Sequence, residues 1–240
     1  MENQNSKTIL TVPVAVIVAG ILIAGAVFFS RLDNREQVNI ETDKNTKTTL
    51  LEKMYPINEK DHILGNPDAP IKIVEYSDAE CPFCKVFHNT MHQIMNEYGK
   101  SGQVAWIYRH FPIDDRHPIK ARKEAVASEC VNQIGGNIAF WKFIDRFFEL
   151  TPSNNQTDIE VVIPQIVKEL GINETTFNSC YNSDKYDEHI ENDFQNAVQT
   201  GGRGTPWSIV VAPNGKTFPI DGAQPISVVK QIIEVALQEK

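Results

Sequence analysis

The chain has 240 residues, 41% of them hydrophobic, and a formal charge of −8. That is enough for one large domain or two small ones with a real core. The acidic balance, with no basic run longer than a pair, excludes the cationic stripe by which nucleic-acid-binding proteins displace counterions.

A short tail, residues 1–7, precedes Thr8–Ser30, 23 residues without a charge and dominated by Val, Ile, Ala and Leu. As a helix this stretch covers roughly 35 Å, enough to cross a bilayer core, so it predicts a single-pass transmembrane anchor. The alternative is a signal peptide cleaved after Ala24-Gly25-Ala26, with secretion of the remainder. The apolar run continues through Val27-Phe28-Phe29, however, and is longer than a typical signal core of about 7–15 residues. Lys7 faces Arg31 and Arg35 across the segment, so flanking charge does not set its orientation. Residues 31–61 are rich in Asn, Thr, Lys and Glu and read as a polar linker, with a short amphipathic turn around Leu50–Tyr55.

The folded domain is expected over residues 62–240. Ile71–Tyr76 is a β-rich run that follows the turn signal Gly65-Asn66-Pro67-Asp68. Phe83, Phe87, Met91, Ile94, Met95 and Tyr98 recur at helical spacing until Gly99 and Gly102, and Val104–Tyr108 is a second strand. Strand, helix and strand in that order open an α/β fold with a crossover connection. A helical block of about 80 residues follows. Val126, Cys130 and Ile134 mark its first helix, and Phe140, Ile144, Phe147 and Phe148 the next. Asp158 is placed to cap a third, and the last ends at Gly201-Gly202. Strands at Trp207–Val211 and Thr217–Ile220 flank Pro213-Asn214-Gly215, and a final amphipathic helix spans about Pro225–Gln238.

Cys81 and Cys84 form a C-x-x-C pair, while Cys130 and Cys180 stand 50 residues apart. Four cysteines allow three disulfide connectivities. Local spacing favours Cys81–Cys84 and leaves Cys130–Cys180, with two separate buried thiols as the alternative for the latter. Pro82 suits the first helical position, so Cys81 falls at the positive end of the helix dipole, among free backbone amides that lower its pKa. Cys84 lies one turn further in and is expected to be more buried, which makes Cys81 the exposed nucleophile and Cys84 its partner. A plain stapling disulfide is the competing reading. A Cys₄ zinc site is disfavoured because it usually needs two C-x-x-C pairs. His88 and His92 have i,i+4 spacing but no intervening H-E-x-x-H pattern, and read as solvated helix residues.

Together, Ile71–Tyr76, Cys81-Pro82-Phe83-Cys84, the helical block and Gly204-Thr205-Pro206 resemble the thioredoxin superfamily. The likeness is strongest to the DsbA-like thiol-disulfide oxidoreductases, whose helical domain interrupts a thioredoxin fold. Ile63–Pro70 and Tyr108–Pro112 resemble the membrane-anchored or secreted branch of that family. The resemblance covers about residues 60–240 and implies an α/β thioredoxin fold with helices inserted over about 115–200. It makes Cys81 the nucleophile, Cys84 the resolving cysteine and Pro206 a cis-proline facing them. With Thr205 before it, and with Pro82 and Phe83, Pro206 would receive a substrate peptide as an added strand. Glu75, six residues before Cys81, would be a buried acid moving protons to or from Cys84. No cofactor and no metal are implied, because the dithiol is itself the redox centre. The implied partners are cysteine-containing exported proteins and a membrane-quinone-linked or thioredoxin-like partner that resets the pair. The implied location is the cell membrane, with the catalytic domain outside the cytoplasm. One residue departs from the pattern: strong oxidants of the family have histidine where this chain has Phe83, which leaves the redox direction open.

Overall fold

A computed structural model describes residues 50–239. The anchor expected at residues 8–30 and the linker up to residue 49 lie outside the described residues. Among those described, no helix is long and apolar enough to cross a membrane.

The sheet has five strands: β1 (His62–Gly65), β2 (Ile71–Ser77), β3 (Val104–His110), β4 (Trp207–Val211) and β5 (Thr217–Asp221), in the spatial order β1-β3-β2-β4-β5. Only β2 and β3 run parallel, joined by helix α1 (Pro82–Ile94). β1 was not anticipated as a strand. It is four residues long and pairs antiparallel with β3, His62 opposite Tyr108 and Gly65 opposite Ala105. The Asn214-Gly215 turn closes the β4–β5 hairpin, with Gly215 at φ +85° and the Ala212 amide donating to the Lys216 carbonyl at 2.8 Å.

β2 is buried along almost its whole length because both faces of the sheet are covered. Side chains alternate across a strand. Ile71 and Ile73 therefore join Trp106, Tyr108, Cys84 and Phe87 in one core, and Val74 and Tyr76 join Ala105, Ile107 and Ile209 in another. Helix α1 and the C-terminal helix α6 (Ile226–Leu237) contribute to the first core.

The helices between β3 and β4 are α2 (Lys120–Leu150), α3 (Ile159–Glu169), α4 (Glu174–Tyr181) and α5 (Asp187–Gln199). Gly136, at φ +74° and ψ −178°, kinks α2 into the two helices that its apolar spacing suggests. Asp158 occupies the N-cap of α3, but its side chain makes no capping hydrogen bond. Cys130 of α2 is joined to Cys180 of α4 by a disulfide that closes a 50-residue separation.

The domain begins earlier than His62, and residues 50–61 are not linker. Leu51 is buried in the second core beside Met54 and Ile57. Arg109 of β3 holds this segment: its Nε and Nη2 donate to Asp61 at 2.7 and 3.1 Å, and its Nη1 and Nη2 donate to the Tyr55 and Pro56 carbonyls. Polar composition concealed the packing because the segment docks through a few apolar side chains and its own backbone.

Cys130→Ser/Cys180→Ser is expected to lose about 4 kcal/mol of stability, the loop-closure entropy of a span this long. Thermal denaturation followed by circular dichroism should show Tm lower by roughly 8–16 °C in a domain of this size.

Candidate redox site

Residue type and position along α1 set the two sulfurs apart. Cys81 is the N-cap, with extended backbone (φ −77°, ψ 121°), and Pro82 opens the helix. The Cys81 thiol donates to the Thr205 carbonyl at 3.4 Å. Cys84 lies inside the first turn with no exposed surface, while Cys81 keeps 6%. Cys81 is thus less open than its chain position suggests, because the Thr205 loop closes over it. Both residues are thiols here.

Their acidities diverge. Hydrogen bonds from the Cys84 thiol, then from the Thr205 side chain and the amides of Cys84 and Phe83, outweigh burial and lower the Cys81 pKa from 9.0 to about 6. Burial, reinforced by the negative charge of Cys81, pushes the Cys84 thiol up. The peptide bond between Thr205 and Pro206 is cis. Phe83 is 65% exposed and Val86 57%, two apolar side chains open to solvent on the first turns of α1.

Glu75 is fully buried, close enough to the pair for its charge to act on Cys84. It shares the α1 face of β2 with Ile71 and Ile73, and its Oε2 accepts a 2.9 Å hydrogen bond from Trp106 Nε1. Burial raises its pKa from 4.5 to about 7, with Ser77 and Trp106 opposing and the negative charge of Cys81 adding to the rise.

Sequence reasoning missed the acids around Cys81. Glu80, immediately before it, is fully buried and its Oε1 accepts from the Thr157 amide at 3.3 Å. Glu124 of α2 is also buried; burial and the neighbouring Glu80 raise its pKa to about 10, so it is neutral. Asp78 Oδ2 accepts from the Ile113 amide at 2.7 Å and contacts His117 Nδ1 at 2.8 Å, an ion pair that raises the imidazole pKa. Glu80 was visible in the sequence beside Cys81, as the last of three acids in Glu75–Glu80, but Glu124 and His117 come from α2 and the loop before it. The solvated reading of His88 and His92 is also corrected. His88 is buried, and both imidazoles meet the carboxylate of Asp145 from α2.

Two measurements check these assignments. Alkylation of reduced Cys81 by iodoacetamide should rise with pH about a midpoint near 6 and level off above it, with Cys84 reacting far more slowly; a midpoint above 8 contradicts the geometry. For Glu75, a folded pKa near 7 lies above its ordinary 4.5. The fold therefore benefits fully from the neutral acid below about pH 4.5 and loses that benefit as pH rises through 7. Glu75→Gln, which stays neutral and keeps an acceptor for Trp106, should gain on the order of 3 kcal/mol relative to the parent between pH 4 and pH 8. Urea titration at the two pH values measures it, and an equal difference at both contradicts the assignment.

Comparison with known proteins places this arrangement. The family described as thioredoxin matches residues 57–234. Among solved structures, α-DsbA1 of Wolbachia pipientis is 25% identical, with a TM-score of 0.65 over 77% of this chain and 94% of its own. Oxidised BdbD of Bacillus subtilis is 24% identical, with a TM-score of 0.67 over 76% and 96%. Pseudomonas aeruginosa DsbA2 is 23% identical, with a TM-score of 0.64 over 77% and 98%. Curated relatives include the Na(+)/H(+) antiporter NhaA 1 of Mycolicibacterium gilvum, 35% identical over 111 residues, which are 46% of this chain. The match spans only 16% of that antiporter's length. The chain belongs to the thioredoxin family, and its fold is the DsbA-like form in which a block of helices interrupts the thioredoxin sheet.

Proposed function

We propose that the protein is a thiol-disulfide oxidoreductase that exchanges disulfides with cysteine-containing exported proteins through Cys81 and Cys84. The observation that carries this reading is the split between the two sulfurs: one thiol with a pKa near 6 at a helix N-terminus, and one fully buried thiol whose pKa is raised.

In the oxidising direction, a substrate thiolate attacks Cys81 Sγ of the Cys81–Cys84 disulfide. The S–S bond breaks, and its electron pair leaves on Cys84. A bare thiolate in that dry position is unfavourable, so Cys84 must take a proton, and Glu75, near half-protonated at neutral pH, is positioned to donate it. The second substrate thiolate then attacks the substrate sulfur of the mixed disulfide. Cys81 leaves as the thiolate that its hydrogen bonds stabilise, and two electrons have passed from substrate to enzyme. A low-pKa leaving thiol speeds this last step.

Recognition rests on the strip beside Cys81. Thr205 and Pro206 offer a segment of backbone for an extended peptide to pair with, and Phe83 and Val86 offer apolar contact next to Pro82. Phe83 supplies no hydrogen-bond donor to the thiolate. The reduced form is then less stabilised than with an imidazole there, so the pair is a milder oxidant than the strongest of its relatives. Residues 8–30 tether the domain to the membrane and present it outside the cytoplasm. The Cys130–Cys180 disulfide supports that location, since such bonds persist in oxidising compartments. A membrane-quinone-linked or thioredoxin-like partner resets the pair.

Cys84→Ala should accumulate mixed disulfides with exported proteins, separable on non-reducing gels, and Cys81→Ser should accumulate none; an empty Cys84→Ala lane overturns the proposal. Equilibration with glutathione should place the reduction potential between about −120 mV and about −270 mV, the values of a strong oxidant and of thioredoxin.

A further inference from the structure

One turn beyond the redox pair, α1 carries His88 and His92 on the face that packs against α2. Their Nε2 atoms each lie 2.8 Å from Asp145 Oδ1 and 3.1 Å from each other. The redox chemistry does not use these groups.

Hydrogen bonding alone does not account for the triangle. With a proton on both Nε2 atoms, the two N–H groups serve the carboxylate and the 3.1 Å contact between them is left without a hydrogen bond. With a proton on only one, the other nitrogen turns a lone pair toward the carboxylate oxygen. His88 Nδ1 has no hydrogen-bond partner among the described residues, so its polar chemistry is concentrated at Nε2. A cation at the centre accepts a lone pair from all three atoms at once.

The dimensions suit such an ion. Metal–ligand distances of about 2.0–2.2 Å separate neighbouring ligands by roughly 2.8–3.6 Å, from octahedral to tetrahedral angles. The three edges fall in that range. The triangle is also supported from behind: Trp106 packs against both imidazoles, with ring centroids 5.1 and 5.5 Å away, and Phe148 lies 4.7 Å from His88. In front is a cleft of about 340 Å³ lined by Lys85, Asn89, Phe148 and Glu149 besides the three candidate ligands. The Lys85 ammonium is drawn off to the Thr151 carbonyl at 2.7 Å, which leaves the cleft as the open side of the site. His92 and Asp145 each keep more than a third of their side-chain surface exposed, so an ion can enter without unfolding.

We propose that His88, His92 and Asp145 bind one divalent cation of the zinc class, with at least one coordination position left open to the cleft for water. Two imidazoles and one carboxylate favour borderline first-row ions over calcium or magnesium, which prefer all-oxygen shells. A second cluster, His62, Glu129 and His189, is a weaker candidate: Glu129 Oε1 already meets His62, His110 and His189 at 2.7, 2.9 and 3.4 Å.

The test titrates Zn²⁺ by calorimetry into the untagged full chain in detergent, with Cys81 and Cys84 oxidised so that neither offers a thiolate. The expected result is one Zn²⁺ per chain, weakened at least about tenfold by His92→Ala or Asp145→Asn and unchanged by Glu129→Gln, with a Co²⁺ visible absorption band that follows the same order. Circular dichroism of the partly exposed variants confirms that they fold. Absence of binding at about 100 μM Zn²⁺, binding undiminished in His92→Ala/Asp145→Asn, or binding lost in Glu129→Gln instead, overturns the proposal.

Discussion

A sulfur anion held in a nearly closed site is the constraint on which the rest of the structure depends. Cys81 has little contact with water, so its negative charge must be met by protein donors. The head of α1 supplies them: the amides of Phe83 and Cys84 have no partner within their own helix, and the Cys84 thiol lies one turn away. Proline at the start of the helix removes an N–H that would have had no partner there. Everything else near the sulfur is arranged so as not to undo this balance.

The surrounding acids show how. Four carboxyl groups, Glu75, Asp78, Glu80 and Glu124, lie buried within a few residues of Cys81 or pack against its loop. Four bare charges would oppose the thiolate strongly in a dry interior. Glu75 escapes in part, being about half-protonated at neutral pH, Glu124 by staying neutral, Asp78 by pairing with His117, and Glu80 by accepting an amide N–H. The proton that Glu75 partly retains is therefore a consequence of burial, and in the function proposed above it is the proton passed to Cys84.

The inserted helices do more than cover the sheet. They bring Glu124, Glu129 and the disulfide cysteine Cys130 into the interior on one kinked helix, with Asp145 at the edge of a cleft, and Gly136 bends it so that both halves bury apolar side chains. Arg109 plays the matching part on the opposite face. Its guanidinium joins Asp61, Tyr76 and Asn196, tying the first described segment, the sheet and α5 into one unit. Charged groups at this density are tolerated because Arg109 and Glu129 are held in ion pairs and Glu124 stays neutral.

Local patterns decided much of this protein. β-rich and helical apolar spacing made β2, α1, β3, the β4–β5 hairpin and α6 legible, with strand and α6 ends shifted by one or two residues. The expected end of α1 is formed by a π-helical turn, Met95–Gly99. C-x-x-C with proline at its second position made the unequal roles of Cys81 and Cys84 legible, because both follow from place within a single helix turn. What residues adjacent in the chain do to one another is written in the sequence. Tertiary structure alone decided that Asp145 meets His88 and His92, that Glu124 keeps its proton against Glu80, and that residues 50–61 are part of the domain. Each depends on groups tens of residues apart being brought into contact, most of them with little access to water. Burial of that kind sets protonation, pairing and ligand geometry, and no spacing along the chain records it.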